Sequence, residues 1–141
     1  MKVLLILLSL SLTAGIIAAS QNPATSVDPA VWQVESAGAW ADGGQIGHYR
    51  AVTYKRCSSE HCYDTLFVEW LANGDKTRVV ATKQVDEVGD LTVVSEARFV
   101  PSQSGTRLQI RHEAVAGQLH STRCLQLGPP GKYIARDGEC R

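Results

Sequence analysis

The stretch CSSEHC, residues 57–62, together with the runs on either side of it, constrains this chain more than any other feature. If the chain folds back so that Cys57 faces Cys62, paired residue numbers sum to 119. Lys55 then faces Asp64 and Arg50 faces Glu69, while Tyr49 meets Trp70, Ala51 meets Val68 and Val52 meets Phe67. Both charge pairs and all three apolar pairs follow from one assumption. Opposed residues in an antiparallel ladder have Cα atoms ~4.5–5.5 Å apart, within reach of a disulfide. The stretch therefore predicts a hairpin whose tip, Ser58-Ser59-Glu60-His61, is stapled at its base.

The staple requires an oxidising compartment, and the start of the chain points to one. Lys2 is followed by an apolar run from Val3 to Leu12 and then by the small residues Ala18, Ala19 and Ser20. That order predicts a secretory signal peptide over residues 1–20 rather than a stable membrane anchor, because Ser9, Ser11, Thr13 and Gly15 interrupt a run barely long enough to span. Export to the periplasm or the medium changes what the four cysteines mean. An even number in an exported domain reads as disulfides, and the strand layout favours Cys57–Cys62 and Cys124–Cys140. A metal site would need a second close pair of ligands, and His48, His112 and His120 are scattered. A redox centre would read C-x-x-C at the start of a helix. No metal and no cofactor is expected.

Residues 21–29, QNPATSVDP, hold two prolines and read as a flexible leader, which leaves 30–141 as a single domain. Its residues alternate. Leu91, Val93, Ser95, Ala97 and Phe99 share one parity, as do Leu108, Ile110 and His112, with charged and polar residues between them. A period of two marks half-buried strands. Gly and Pro clusters at 73–75, 89–90, 101–105, 117 and 128–131 punctuate the runs. The pattern predicts an all-β fold: one antiparallel β-sandwich or flattened barrel of about eight strands, with two local disulfides and little or no helix. The expected strands are 30–35, 46–57, 62–72, 76–87, 91–100, 106–115, 118–127 and 131–136. Trp40-Ala41-Asp42-Gly43-Gly44 reads as a flexible connection.

Charge also selects a register for the second half. A hairpin of 91–100 with 106–115 and a pairing sum of 207 sets Phe99 against Leu108, Ala97 against Ile110 and Glu96 against Arg111. Slipping the sum by two either way keeps the buried parity but opposes arginines, Arg98 with Arg111 or with Arg107. Such pairs cost from a few tenths to ~1 kcal/mol each.

Catalytic patterns are wanting. There is no G-x-S-x-G elbow, and both bridges together consume every thiol. His112 lies on the apolar parity between Ile110 and Ala114, where a histidine reads first as a satisfied core or rim residue. Asp86, Glu87 and Asp90 surround one turn without the spacing of a calcium loop. Lysine and arginine against aspartate and glutamate stand at 14 to 14, interspersed, so the chain offers no broad footprint for nucleic acid or anionic membrane. Val52, Tyr54 and Phe67 lie on the face of the first hairpin opposite Tyr49 and Trp70, so both faces are partly apolar.

These observations point to an exported, non-enzymatic binding protein with a protein partner, such as an inhibitor or immunity factor that inserts a loop into a cell-envelope or secreted hydrolase. The candidate contact residues are Ser58, Ser59, Glu60 and His61 on the stapled tip, and Ser102, Gln103 and Ser104 in the loop PSQSGT. A disulfide at the base of a loop lowers the entropy lost on binding. The alternatives are a structural or assembly component of an envelope or surface complex that pairs through strand edges, and a small secreted hydrolase or carbohydrate-binding module using His112 or the aromatic residues.

Overall fold

A computed structural model describes residues 28, 30–74, 77–117 and 119–141. The expected signal peptide, and the expected leader apart from Asp28, lie outside those residues. The strands are β1 (Val31–Asp42), β2 (Gln45–Cys57), β3 (Cys62–Ala72), β4 (Arg78–Gln84), β5 (Thr92–Val100), β6 (Arg107–Ala114), β7 (His120–Leu127) and β8 (Tyr133–Asp137). They form two antiparallel four-stranded sheets, β1-β2-β3-β4 (sheet A) and β5-β6-β7-β8 (sheet B), each a meander packed face to face on the other. The fold is all-β and sandwich-like. The helical content of the described residues is one 3-10 turn, Asp86–Val88, between the sheets.

The β2–β3 register is the one the cysteine pairing predicts: every rung from Gly47↔Ala72 to Cys57↔Cys62 keeps the sum of 119. Sheet B keeps the sum of 207 only from Glu96↔Arg111 to Val100↔Arg107. Ser95 is an extra residue, and Val94 pairs with His112, one step out of that register. This bulge corrects the expected parity. Leu91 sits outside the strand in a left-handed conformation, φ 53°, and is exposed. Thr92 and Val94 then face the core in place of Val93, and after the bulge Ala97 and Phe99 face it as the alternation predicts. A bulge shifts side-chain parity by one residue, which no alternating pattern announces.

The first hairpin also departs from expectation. β1 continues through Trp40 to Asp42, and Gly43-Gly44 forms a tight turn into β2 rather than a flexible connection. Both glycines have positive φ, 54° and 81°, as a two-residue hairpin turn that matches strand twist requires. Trp40 is buried and its Nε1 donates to the His48 carbonyl at 3.1 Å.

Several hydrogen bonds join the sheets. Tyr49 Oη and Trp70 Nε1 both donate to the Gly128 carbonyl, at 3.1 and 2.9 Å. Gln33 Nε2 donates to the Ala97 carbonyl at 3.1 Å. Asp64 accepts from the Val94 amide at 2.8 Å and from Trp32 Nε1 at 3.1 Å. β5 thus meets β3 at Val94 and β1 by Ala97, so it runs diagonally across sheet A. Asp64 and Lys55 are opposed as expected, but the carboxylate turns inward to these donors, and Lys55 Nζ lies over the Trp32 ring, 5.1 Å from its centroid. Between the sheets, Trp70, Leu66, Val68, Val94, Leu108, Ile110 and Leu125 are essentially inaccessible. Burial of this order, ~25 cal/mol per Å² of apolar surface, is the main stabilising term of such a domain.

Candidate functional site

The stapled tip forms as the sequence predicts. Cys57 and Cys62 are disulfide-bonded on the last rung of β2 and β3, with Cα atoms 4.0 Å apart. Beyond them Ser58 closes the turn on itself. Its amide donates to the His61 carbonyl at 2.8 Å and its Oγ donates to the same carbonyl at 3.2 Å. The Oγ also accepts from the amides of Glu60 and His61, at 3.3 and 3.1 Å. One short hydroxyl side chain thus satisfies backbone groups that a four-residue loop would leave to water. Ser59, Glu60 and His61 remain exposed, on a backbone fixed from both ends.

A groove of ~450 Å³ runs along the outer face of sheet A toward this tip. Its floor is Tyr54 and Phe67, packed edge to face with centroids 5.6 Å apart. Arg56, one residue before the staple, flanks it together with Glu69, Thr82, Asp28 and Ala30. Arg50 stiffens one wall, with Nε and Nη2 both 2.6 Å from Glu69 Oε2. Val34, 50% exposed, continues the apolar row Val34–Val52–Phe67 across β1, β2 and β3. The shared parity of Val52, Tyr54 and Phe67 was the sequence signal for this groove. Its rim is formed by Asp28, Arg56 and Glu69, which only the register brings together.

The second candidate loop is equally ordered but stands elsewhere. Ser102 Oγ accepts from the Ser104 amide at 3.2 Å and lies 3.1 Å from Ser104 Oγ. Arg107 Nη2 donates to Ser104 Oγ at 2.9 Å, and Gln103 is exposed at the apex. Thr106, which closes the loop, packs against Gly38. Gly38 follows the rung Ala37↔Tyr49↔Trp70, which lies ~27 Å along β3 from Cys62 at ~3.4 Å per residue. The tip and the Ser102–Ser104 loop are therefore not parts of one surface.

Titratable candidates are dispersed as well. His112 is 7% exposed on the inner face of sheet B, between Val94 and Ser121. Desolvation, followed by the positive charge of Arg123, pushes its pKa below the ordinary histidine value. His48 Nδ1 lies 3.1 Å from Asn73 Oδ1, and His120 pairs with Glu113 at 3.2 Å on the surface. Glu87, on the 3-10 turn, accepts from Tyr133 Oη at 2.6 Å. Burial, then this hydrogen bond, raises the Tyr133 pKa far above the usual phenol range. No group of three or more His, Cys, Asp or Glu among the described residues is placed to hold a metal ion.

Cys124 and Cys140 form the second disulfide, and no free cysteine remains. No helix among the described residues is long and apolar enough to cross a membrane. Two disulfides suit an extracellular or periplasmic setting. Comparison with protein-family models, with curated proteins and with solved structures returns no match.

Proposed function

We propose that this chain is an exported, non-enzymatic binding protein that engages a protein partner through the stapled tip and the groove beside it. One observation carries the reading: Ser59, Glu60 and His61 are exposed on a backbone held by the Cys57–Cys62 bridge and by four hydrogen bonds that Ser58 makes with Glu60 and His61. A loop already fixed in one conformation loses little entropy on binding. The adjoining floor of Tyr54 and Phe67 offers aromatic contact area of the kind that anchors protein interfaces. The Ser102–Ser104 loop, ~27 Å away along the strand direction, belongs to a different face. In the finer form of the proposal the tip enters the cleft of an envelope or secreted hydrolase, as an inhibitor or immunity factor does.

The test is capture of the partner from envelope and culture extracts on the oxidised protein, identification by mass spectrometry, and titration of the purified pair. Replacing Glu60 and His61 together by alanine should weaken binding at least ~10-fold, in the range of interface anchors, with the melting temperature unchanged. Undiminished binding by that variant removes the tip from the site. Exposed Val79 on β4 and Ile134 on β8, both edge strands, favour the assembly alternative. That reading requires self-association on size exclusion, and a monomer at high concentration counts against it.

A further inference from the structure

The outer face of sheet B carries a cavity of ~340 Å³ whose lining includes three arginines from three separate places in the chain. Arg107 comes from the start of β6 and Arg136 from β8, while Arg141 lies in the tail that Cys140 ties to Cys124 on β7. The register sets the two strand arginines on neighbouring rows of one face, Arg107 beside Gln126 and Arg136 beside Cys124. Two carboxylates, Asp137 and Glu139, also reach the lining, but each has a partner. Asp137 pairs with Arg123, and Glu139 with Arg111 at 3.0 Å. Among the described residues, Arg136 and Arg141 make no ion pair, and Arg107 donates only to the Ser104 hydroxyl. Gln109, opposite Cys124 on the row of Arg136, is 2% exposed. Its Oε1 accepts from the Cys140 amide at 3.3 Å, while its Nε2 donor has no hydrogen-bond partner among the described residues.

We propose that this cavity binds a tetrahedral oxyanion, a phosphate or sulfate group. Three arginines lining one space carry like charges that an anion between them would relieve, and the fork of donors on a guanidinium matches the edge of such a group. Both side-chain acids of the lining pair with other arginines, Arg111 and Arg123, so they offset little of the charge of the three lining arginines, although the chain as a whole is balanced at 14 to 14. The site is a single pocket rather than a stripe, so it takes one anionic group and not a polyanionic backbone. Its third arginine depends on the second disulfide, which couples the site to the redox state of Cys124 and Cys140.

Thermal unfolding of the oxidised protein tests this, with millimolar sodium phosphate or sodium sulfate against sodium chloride at matched ionic strength. A ligand that binds the folded state raises the melting temperature in proportion to the logarithm of its concentration over Kd. Phosphate, sulfate or both should do so, and whichever acts identifies the group. Arg136→Gln/Arg141→Gln should weaken the apparent affinity by ~10-fold or more, the scale of a lost charge-assisted hydrogen bond or two. Arg98→Gln, on the same face but paired with Glu96, should keep it. Cys124→Ser/Cys140→Ser should lose affinity as the arginine variant does. Equal melting in all three salts, or an undiminished shift in the arginine variant, overturns the proposal, since the latter marks a general salt effect. Undiminished binding by the serine variant removes the tail from the site.

Discussion

Asp64→Ala tests whether one buried carboxylate holds the two sheets together at the staple end. Asp64 is 2% exposed, and its two oxygens accept from Val94 N and Trp32 Nε1 at 2.8 and 3.1 Å. Alanine leaves both donors without that partner. Val94 is 0% exposed, so its amide loses its bond with no water in reach, at a cost of ~1–3 kcal/mol. Trp32 is 42% exposed, so water can replace the acceptor and the loss falls to ~0.5–1.5 kcal/mol. The total is ~1.5–4.5 kcal/mol, a large share of the ~5–15 kcal/mol that holds a typical domain. Equilibrium unfolding in urea, followed by tryptophan fluorescence, should show a midpoint ~1–2 M lower with an unchanged slope. Trp32→Phe should reproduce only the smaller part. Asp64→Asn keeps one acceptor oxygen but adds a donor amide where a second acceptor was needed, so it should fall between the two. An Asp64→Ala unfolding free energy within ~0.5 kcal/mol of the parent would show that the carboxylate does not hold the sheets together, and the reasoning would fail.

Two further outcomes follow from burial. His112 is desolvated and feels the positive charge of Arg123, so its folded pKa lies below the ordinary value of 6.5 that it recovers on unfolding. The unfolded chain then binds more protons near pH 6, and stability contributed by neutral His112 is complete above pH ~7 and lost as pH falls through 6.5 toward the lower folded value. Urea midpoints from pH 8 to 5 should decline, and His112→Gln should flatten that decline; an equal slope in the variant refutes the assignment. Gly47→Ala places a methyl group 2.6 Å from the Trp40 ring and closer still to the Leu71 carbonyl. Neither neighbour is free to yield, so ~1–3 kcal/mol of destabilisation is expected by chemical denaturation, and a loss below ~0.5 kcal/mol would show that β1 and β3 both give way there.

The contrast between the two hairpins explains what the sequence discloses. For β2 and β3, parity, charge and the cysteines all demand the same register, and all eleven rungs obey it. For β5 the parity is interrupted by the extra Ser95, and the strand begins after left-handed Leu91; neither leaves a compositional mark. Gly43-Gly44 reads equally well as slack or as a tight turn, and only the continuation of pairing through Ala41↔Ile46 and Asp42↔Gln45 decides it. Lys55 and Asp64 illustrate a subtler limit. Their opposite charges mark the right rung, yet the carboxylate turns to a buried backbone amide, because an unpaired amide in the core costs more than a surface ion pair returns. The tip was readable because Ser58 and the cysteines are neighbours in sequence. The arginine cavity was not, since its residues are far apart in the chain and meet only through two ladders and a disulfide.

β3 carries both the tip and the inter-sheet joint within its first three residues, Cys62, Tyr63 and Asp64. Their energetics are nevertheless of different kinds. The bridge and the Ser58 hydrogen bonds are local: they restrict a few exposed residues and touch no buried group of sheet B. Asp64 binds an amide of the other sheet, so its loss spreads to the whole sandwich. Reduction of Cys57–Cys62 should therefore loosen the tip and weaken partner binding while Asp64 still pins β5, whereas Asp64→Ala should lower stability with the tip intact. Recognition and cohesion are adjacent on one strand, yet separable by mutation.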